Sequence, residues 1–228
     1  MLNLFNRKPR MDARAKGKTM IKVHHLNNSR SQRILWLLEE LNLPYGIVPY
    51  SRDPVTRLAP AELKKVHPLG KSPVVTDGAT TVAESGAIVE YLVKTYGKGK
   101  YWPKDGTPEA IQNAHWMHFA EGSAMTPFLL ALYAGVLGQG AAPLVPRIES
   151  EIANHLGYME SSLGAKPYFM GAEPMACDFM LAFVLEAADA GGRLKDYPKL
   201  KAYVDRVHAR PAYQRGLERG GPYQLMGR

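Results

Sequence analysis

The feature that most constrains this chain is a change of hydrophobic period near its middle. Before the stretch GKGKYWPKDGTP, short β-rich runs alternate with helical patterns; after it the β signal stops. Such a chain builds one layered α/β unit and one all-helical unit, because each half must bury its apolar stripes against its own kind of neighbour. We place a basic extension at residues 1–19, an α/β unit at 20–97, a linker at 98–107 and an all-helical unit at 108–228.

Within the first unit the pattern predicts a strand over Ile21–Leu26 and a helix from about Arg30 to Asn42. That helix carries Ile34, Leu37, Leu38 and Leu41 at helical spacing on one face, and Pro44 stops it. A strand over Tyr45–Tyr50 follows, then a short helix near Ala61–Val66. PVVTDGATTV reads as a hairpin turning at Asp77-Gly78, a dipeptide suited to tight primed turns. A helix over Ser85–Tyr96 closes the unit. In the second half, helices are expected over 108–138, bent near Pro127, over 144–163 and over 198–209. CDFMLAFVLEAA is apolar almost all round, so it belongs at the centre of the helical unit.

The net charge of +8 suggests nucleic acid only until it is located. Residues 1–19 hold six basic side chains against Asp12, so five of the eight charges sit in that extension. The nearly balanced remainder lacks the basic body that a nucleic-acid partner needs. The extension has little apolar periodicity, so we expect it to be mobile, and it lacks the apolar centre of a secretory signal. No run of about 18 apolar residues predicts a membrane span. The one cysteine, Cys177, rules out a disulfide within the chain and sits in an apolar helix as a small buried side chain.

Four fragments, in this order and spacing, carry a family likeness: SRSQRILWLLEELNLPY, HPLGKSPVV, VAESGAIVEYL and GAEPMACDFMLAF. From residue 20 to about 215 the chain resembles a cytosolic glutathione transferase. The resemblance implies a thioredoxin-like α/β domain followed by an all-α helical domain, glutathione as co-substrate, no metal, a cytoplasmic homodimer and a role in detoxification.

Each motif also has a chemistry of its own. Ser29-Arg30-Ser31-Gln32 fits a capping box. The same helix N-terminus, with its free N–H groups, favours an anion and pushes a bound thiol toward thiolate. Lowering a thiol pKa of roughly 8.5 by about two units takes about 2.7 kcal/mol. One hydroxyl hydrogen bond to a charged group supplies about 1.5–3 kcal/mol, so no full positive charge is required. By position, Ser29 is the thiol-contacting residue that the resemblance implies, with Asn28 and Ser31 as alternatives and Asn27 behind them. The absence of a cysteine from this loop disfavours disulfide exchange.

Ser72-Pro73 stands where the family has a cis proline, which would leave Val74 to pair with the cysteine part of a bound tripeptide like an added strand. Lys71 is placed to meet the glycine carboxylate. His67 has a weaker ligand reading, against a local structural hydrogen bond. Glu84 and Ser85, at a helix start, suit the ammonium and carboxylate of the γ-glutamyl end. Trp116, Phe119 and Met125 are candidates to line a pocket for an apolar electrophile, although side chains of this kind, like neighbouring His115, His118 and Tyr133, more often pack in a core. His115 and His118 have no third ligand to make a metal site. Met175 replaces the hydroxyl cap usual before the central helix, and Asp178 is retained as a structural residue.

The expected activity is activation of the glutathione thiol for attack on an apolar electrophile or a peroxide. The alternative is a non-catalytic member of the same fold, acting as a ligand carrier or interaction module.

Overall fold

The computed structural model describes residues 20–225; the basic extension expected at 1–19 lies outside the described residues. Strand β1 (Ile21–Leu26) leads through helix α1 (Ser31–Glu40) to β2 (Tyr45–Tyr50). A 3-10 turn at Ala61–Lys65 precedes β3 (Val74–Asp77), β4 (Thr80–Ala83) and α2 (Ser85–Tyr96). The sheet runs in the order β2-β1-β3-β4; β1 and β2 are parallel and the other pairs antiparallel. Gly78, with φ of 61°, takes the left-handed position in the two-residue hairpin loop. This is the thioredoxin-like arrangement that the resemblance implied.

Helices α3 (Pro108–Phe119), α4 (Met125–Leu137), α5 (Val145–Leu163), α6 (Ala176–Ala190), α7 (Pro198–His208) and α8 (Pro211–Gly220) make up the rest. Helix α6 is buried nearly all round, as its composition required. The stretch between α2 and α3 is pinned to the body: the Tyr101 carbonyl accepts from Ala176 N–H, and Lys94 lies over the Trp102 ring.

Three expectations change. Helix α1 is buried from Ser31 through Leu38, not on one face alone, because β1, α2, α6 and α8 surround it. The irregularity expected at Pro127 lies just before it, as a π-helical turn over Ala120–Ala124. Proline has no N–H for the preceding turn and its ring crowds that turn's carbonyl, and the widened turn relieves both. Finally, Pro108–Ala141 is one continuous helical stretch that is long and apolar enough to cross a membrane, with a mean hydropathy of 1.3 over its most apolar 18 residues. Its α3 and α4 segments pack on α6 and α5, and much of its apolar surface is left exposed, at Leu132, Tyr133, Val136 and Leu137.

Candidate functional site

Three segments converge at one end of the sheet. Strand β1 runs out at Leu26 into the loop Asn27–Arg30. Strand β3 is antiparallel to it with Val74 opposite His24, so Ser72 and Pro73 lie beside the end of β1. Strand β4 finishes at Ala83, also opposite Val74, and delivers Glu84 and Ser85 to the same place.

Hydroxyl groups knit the loop together. Ser72 Oγ donates to the His24 carbonyl at 2.8 Å and accepts from Leu26 N–H at 3.1 Å. Ser29 Oγ accepts from Ser31 N–H at 3.2 Å and lies 2.8 Å from Ser31 Oγ and 3.5 Å from Ser72 Oγ. Ser31 Oγ lies 2.8 Å from His25 Nδ1, and His25 Nε2 is 3.1 Å from the Gly220 carbonyl at the end of α8. Ser29, Ser31 and His25 are all buried. Burial pushes the His25 imidazole below its usual range, partly opposed by its bond to Gly220.

The capping box does not form. Arg30, not Ser29, flanks α1, and the buried Gln32 amide makes no hydrogen bond among the described residues. The serine turns instead toward Ser31, because tertiary packing takes the Gln32 side chain inside. The two asparagines are committed elsewhere. Asn27 Oδ1 accepts from Arg52 N–H at 2.8 Å, and Asn28 Oδ1 accepts from Gln224 N–H at 2.7 Å. Asn28 has φ of 51°. These side chains hold the loop and the C-terminal segment, which leaves Ser29 as the hydroxyl nearest the Ser72-Pro73 loop.

The Ser72-Pro73 bond is cis. The pairing role expected of Val74 is not available, since Val74 lies inside the sheet with β1 on one side and β4 on the other. Its backbone groups face a neighbouring strand whichever way they point. The free edge belongs to Ser72, whose backbone N–H and carbonyl make no hydrogen bond among the described residues. Lys71 and Glu84 are exposed, and neither side chain has a hydrogen bond or ion pair among the described residues. Glu84 adopts φ of 69° and ψ of 119°, a strained conformation for a side chain with a Cβ. Ser85 is buried at the first turn of α2, where the helix N–H groups point out of the helix end. The half-buried His67 uses its carbonyl to accept from Gly70 N–H at 2.8 Å. Gly70, with φ of 58°, makes the turn that presents Lys71.

Trp116 and Met125 offer little surface, although an edge of Trp116 borders a cleft of about 510 Å³ with Ile111, His115 and Tyr158. Both are buried in the core: Trp116 stacks on Tyr158 and tilts against Phe169, while Phe119 sits half-buried among His115, His155 and Tyr158. These rings join α3 to α5, away from the faces of α1. What the α3–α4 stretch does send to the active loop is Glu121, from the π-helical turn. Arg30 Nε reaches its carboxylate at 2.9 Å and Arg33 Nη1 at 2.8 Å, with Phe183 under both guanidinium groups. Burial alone would raise the Glu121 carboxyl, but the two arginines outweigh it and hold it below its usual range. The sequence reading missed this cluster and the C-terminal segment. The only local signal was a carboxylate in an otherwise apolar helix. Met175 supplies no side-chain cap, yet Asp178 still reaches back to its N–H at 2.8 Å and also accepts from Phe169 N–H at 3.0 Å.

The end of the sheet thus offers a helix N-terminus for a carboxylate, a free carboxylate for an ammonium, a free ammonium on Lys71, a free strand edge at Ser72 and a hydroxyl at Ser29. Among the described residues, no group of three or more His, Cys, Asp or Glu side chains converges to hold a metal.

The chain is similar to known proteins over both of its halves. The glutathione S-transferase N-terminal domain family matches residues 18–94, and the corresponding C-terminal domain family matches residues 142–206. Glutathione S-transferase 3 of Schizosaccharomyces pombe is 36% identical over 215 residues, covering 88% of each chain. A glutathione S-transferase crystal structure from Actinobacillus pleuropneumoniae is 32% identical with a TM-score of 0.83, covering 90% of this chain and 94% of that one. A glutathione transferase family member from Pseudomonas fluorescens, solved with two glutathione bound, shares the fold at 24% identity and a TM-score of 0.75, covering 87% of this chain and 92% of that one.

Proposed function

The chain belongs to the glutathione S-transferase family, and from that premise we propose that it binds glutathione at the end of the sheet and activates its thiol for attack on an apolar electrophile. The observation that carries this reading is the convergence of Ser29, cis Ser72-Pro73 and the Glu84–Ser85 helix start. The γ-glutamyl carboxylate sits on the α2 N-terminus, its ammonium meets Glu84, and the glycine carboxylate meets Lys71. The cysteine backbone pairs with Ser72, which brings the sulfur to Ser29. Binding energy from the two ends of the tripeptide fixes the position of the thiol, and the hydroxyl and helix end favour its anion. A peroxide bond is attacked by the same nucleophile, so peroxidase activity is compatible with this site.

The occupied form is a homodimer in this reading. The exposed apolar residues Leu132, Tyr133, Val136, Leu137 and Leu144 supply a surface that a second copy would cover. A cytoplasmic location accords with a buried, unpaired Cys177.

Titrating glutathione while following thiolate absorbance from about pH 5 to 9 tests the proposal. We expect the bound thiol to ionise below free glutathione. Ser29→Ala should cut turnover of a model aryl halide by roughly 10–100-fold with the fold intact. A bound thiol that ionises no more readily than the free one would favour a carrier instead.

A further inference from the structure

The hydroxyl chain behind Ser29 has a direction, and it can be assigned group by group. The Gly220 carbonyl only accepts, so His25 Nε2 carries a proton and, in the neutral ring, Nδ1 is an acceptor. Ser31 Oγ has two acceptors in reach, Nδ1 at 2.8 Å and the Leu26 carbonyl at 3.3 Å, and the shorter bond, to Nδ1, takes its proton. With its proton used, Ser31 receives the proton of Ser29 across 2.8 Å. Ser72 offers Ser29 nothing, because its proton is held by the His24 carbonyl. Ser29 thus points its proton into the protein and, with one lone pair taken by Ser31 N–H, turns the other outward. A thiol meeting it finds an acceptor.

We propose that His25 is the terminal acceptor of the proton that glutathione's thiol gives up, reached through Ser29 and Ser31; this rests on the functional reading above. The thiol proton passes to Ser29 Oγ as the Ser29 proton passes to Ser31 Oγ and the Ser31 proton passes to His25 Nδ1. One S–H and two O–H bonds break; two O–H and one N–H bond form. No electron is lost or gained. The chain ends reversed: Ser29 now donates to a thiolate, and the imidazolium donates from both nitrogens, to Ser31 and to Gly220. No residue has to move, since only protons change places.

Two features of the fold favour the charged ring once the thiolate exists. Gly220 is the last residue of α8, whose free carbonyls form the negative end of the helix and favour a cation. A Cβ at Gly220 would lie 2.7 Å from Leu35 Cδ1 and 3.4 Å from His25 Cε1, so the absence of a side chain is what lets the carbonyl approach. His25 also borders a cavity of about 330 Å³ with Asn28, Tyr50, Ser51 and Gln224, through which the proton can later leave. Beside that cavity the Arg52 guanidinium is tied to the Asn27 and Asn28 carbonyls at 3.2 and 3.3 Å. Besides His25, Tyr50 is the titratable group that lines the cavity, and it is bonded to His24 at 3.0 Å; from α1 the ring meets Ser31; Arg219 on α8 turns to Glu39 and Tyr45. Burial keeps the ring neutral, hence able to accept, before the thiol arrives.

The test counts protons. Glutathione is added to the full chain near pH 7, where a free thiol is mostly protonated, in weakly buffered solution with thiolate absorbance and pH followed together. The relay predicts thiolate with far less than one proton released per thiolate. It also predicts a thiolate-against-pH curve with a plateau between two macroscopic steps, the signature of a coupled pair. Ser31→Ala and His25→Asn should release one proton per thiolate, titrate in a single step, and form roughly tenfold less thiolate at neutral pH. Full proton release in the unaltered protein overturns the relay alone and leaves the thiol-activating reading standing. A plateau that persists in both folded variants overturns the relay in the same way. No thiolate at saturating glutathione removes that reading and the relay with it. The count on the unaltered protein holds even if a variant fails to fold.

Discussion

Asp178 shows how one side chain can be structural in spite of its charge. It is fully buried and accepts from two backbone N–H groups, those of Phe169 and Met175, while Tyr203 Oη donates to its carbonyl at 3.1 Å. Burial pushes its carboxyl up to about 6 against the pull of those hydrogen bonds. Asp178→Ala would strand both donors at about 1–3 kcal/mol each. We expect a loss of roughly 2–5 kcal/mol, read from the urea midpoint, with glutathione affinity unchanged in whatever fraction remains folded. At this scale the sequence was legible where a side chain acts on its own backbone, as Asp178 does on Met175. It was illegible where the partner is remote: Gln32 fits a capping pattern by spacing, yet packing removes it from the helix end. His25 gave no local signal, because Gly220 lies 195 residues away.

Helix α1 and helix α8 share the most extensive contact between elements. Glu40 is held by Arg210 and by Trp36 Nε1 at 2.9 Å, and Glu39 by Arg215 at 2.8 Å and Arg219 at 3.1 Å. A Cβ at Gly216 would stand 3.1 Å from Trp36 N and 3.3 Å from the Leu35 carbonyl carbon, both rigid backbone. In a free helix Gly→Ala gains about 1 kcal/mol. Here we expect the opposite sign, a loss of about 1–3 kcal/mol for Gly216→Ala, as the helices are forced apart. Thermal melts of the two proteins decide it, and a gain would show that the contact has slack. Because α8 carries Gly220 against His25, the same substitution should also disturb the hydroxyl chain at the candidate site. The existence and order of the elements were readable from period and turn chemistry. The π-helical turn was not, because it depends on how one proline is accommodated by the turn before it.

For the whole molecule the titration of buried groups sets the response to acid. His24 and His25 are both pushed down by burial from 6.5, with Lys22 adding to the effect at His24. The folded state therefore binds fewer protons than the unfolded chain just below that value, and stability falls as pH drops through about 6.5. Asp178, pushed up to about 6, works the other way between there and 3.8, because its folded form takes up a proton first. Glu39 and Glu40 are opposed by burial but held below 4.5 by their arginines, so their contribution is present above 4.5 and is lost as pH falls through their lowered values. We expect urea midpoints to decline from pH 7 to 6, flatten, and drop again below about 4.5. A midpoint that rises on acidification from pH 7 to 6 would contradict the histidine assignment. By itself, the order of residues determined the α/β-then-α architecture, the loop at the end of β1, the position of Pro73 and the start of α2, because these follow from periodicity and short-range backbone chemistry. Only the tertiary structure decided that α1 is buried on every side, that Trp116 and Met125 belong to the core, that Val74 is inside the sheet, and that Ser29 faces a histidine through Ser31. Those outcomes depend on which surfaces meet when distant segments pack, and a contact between residues far apart in the chain leaves no trace in the spacing of their neighbours.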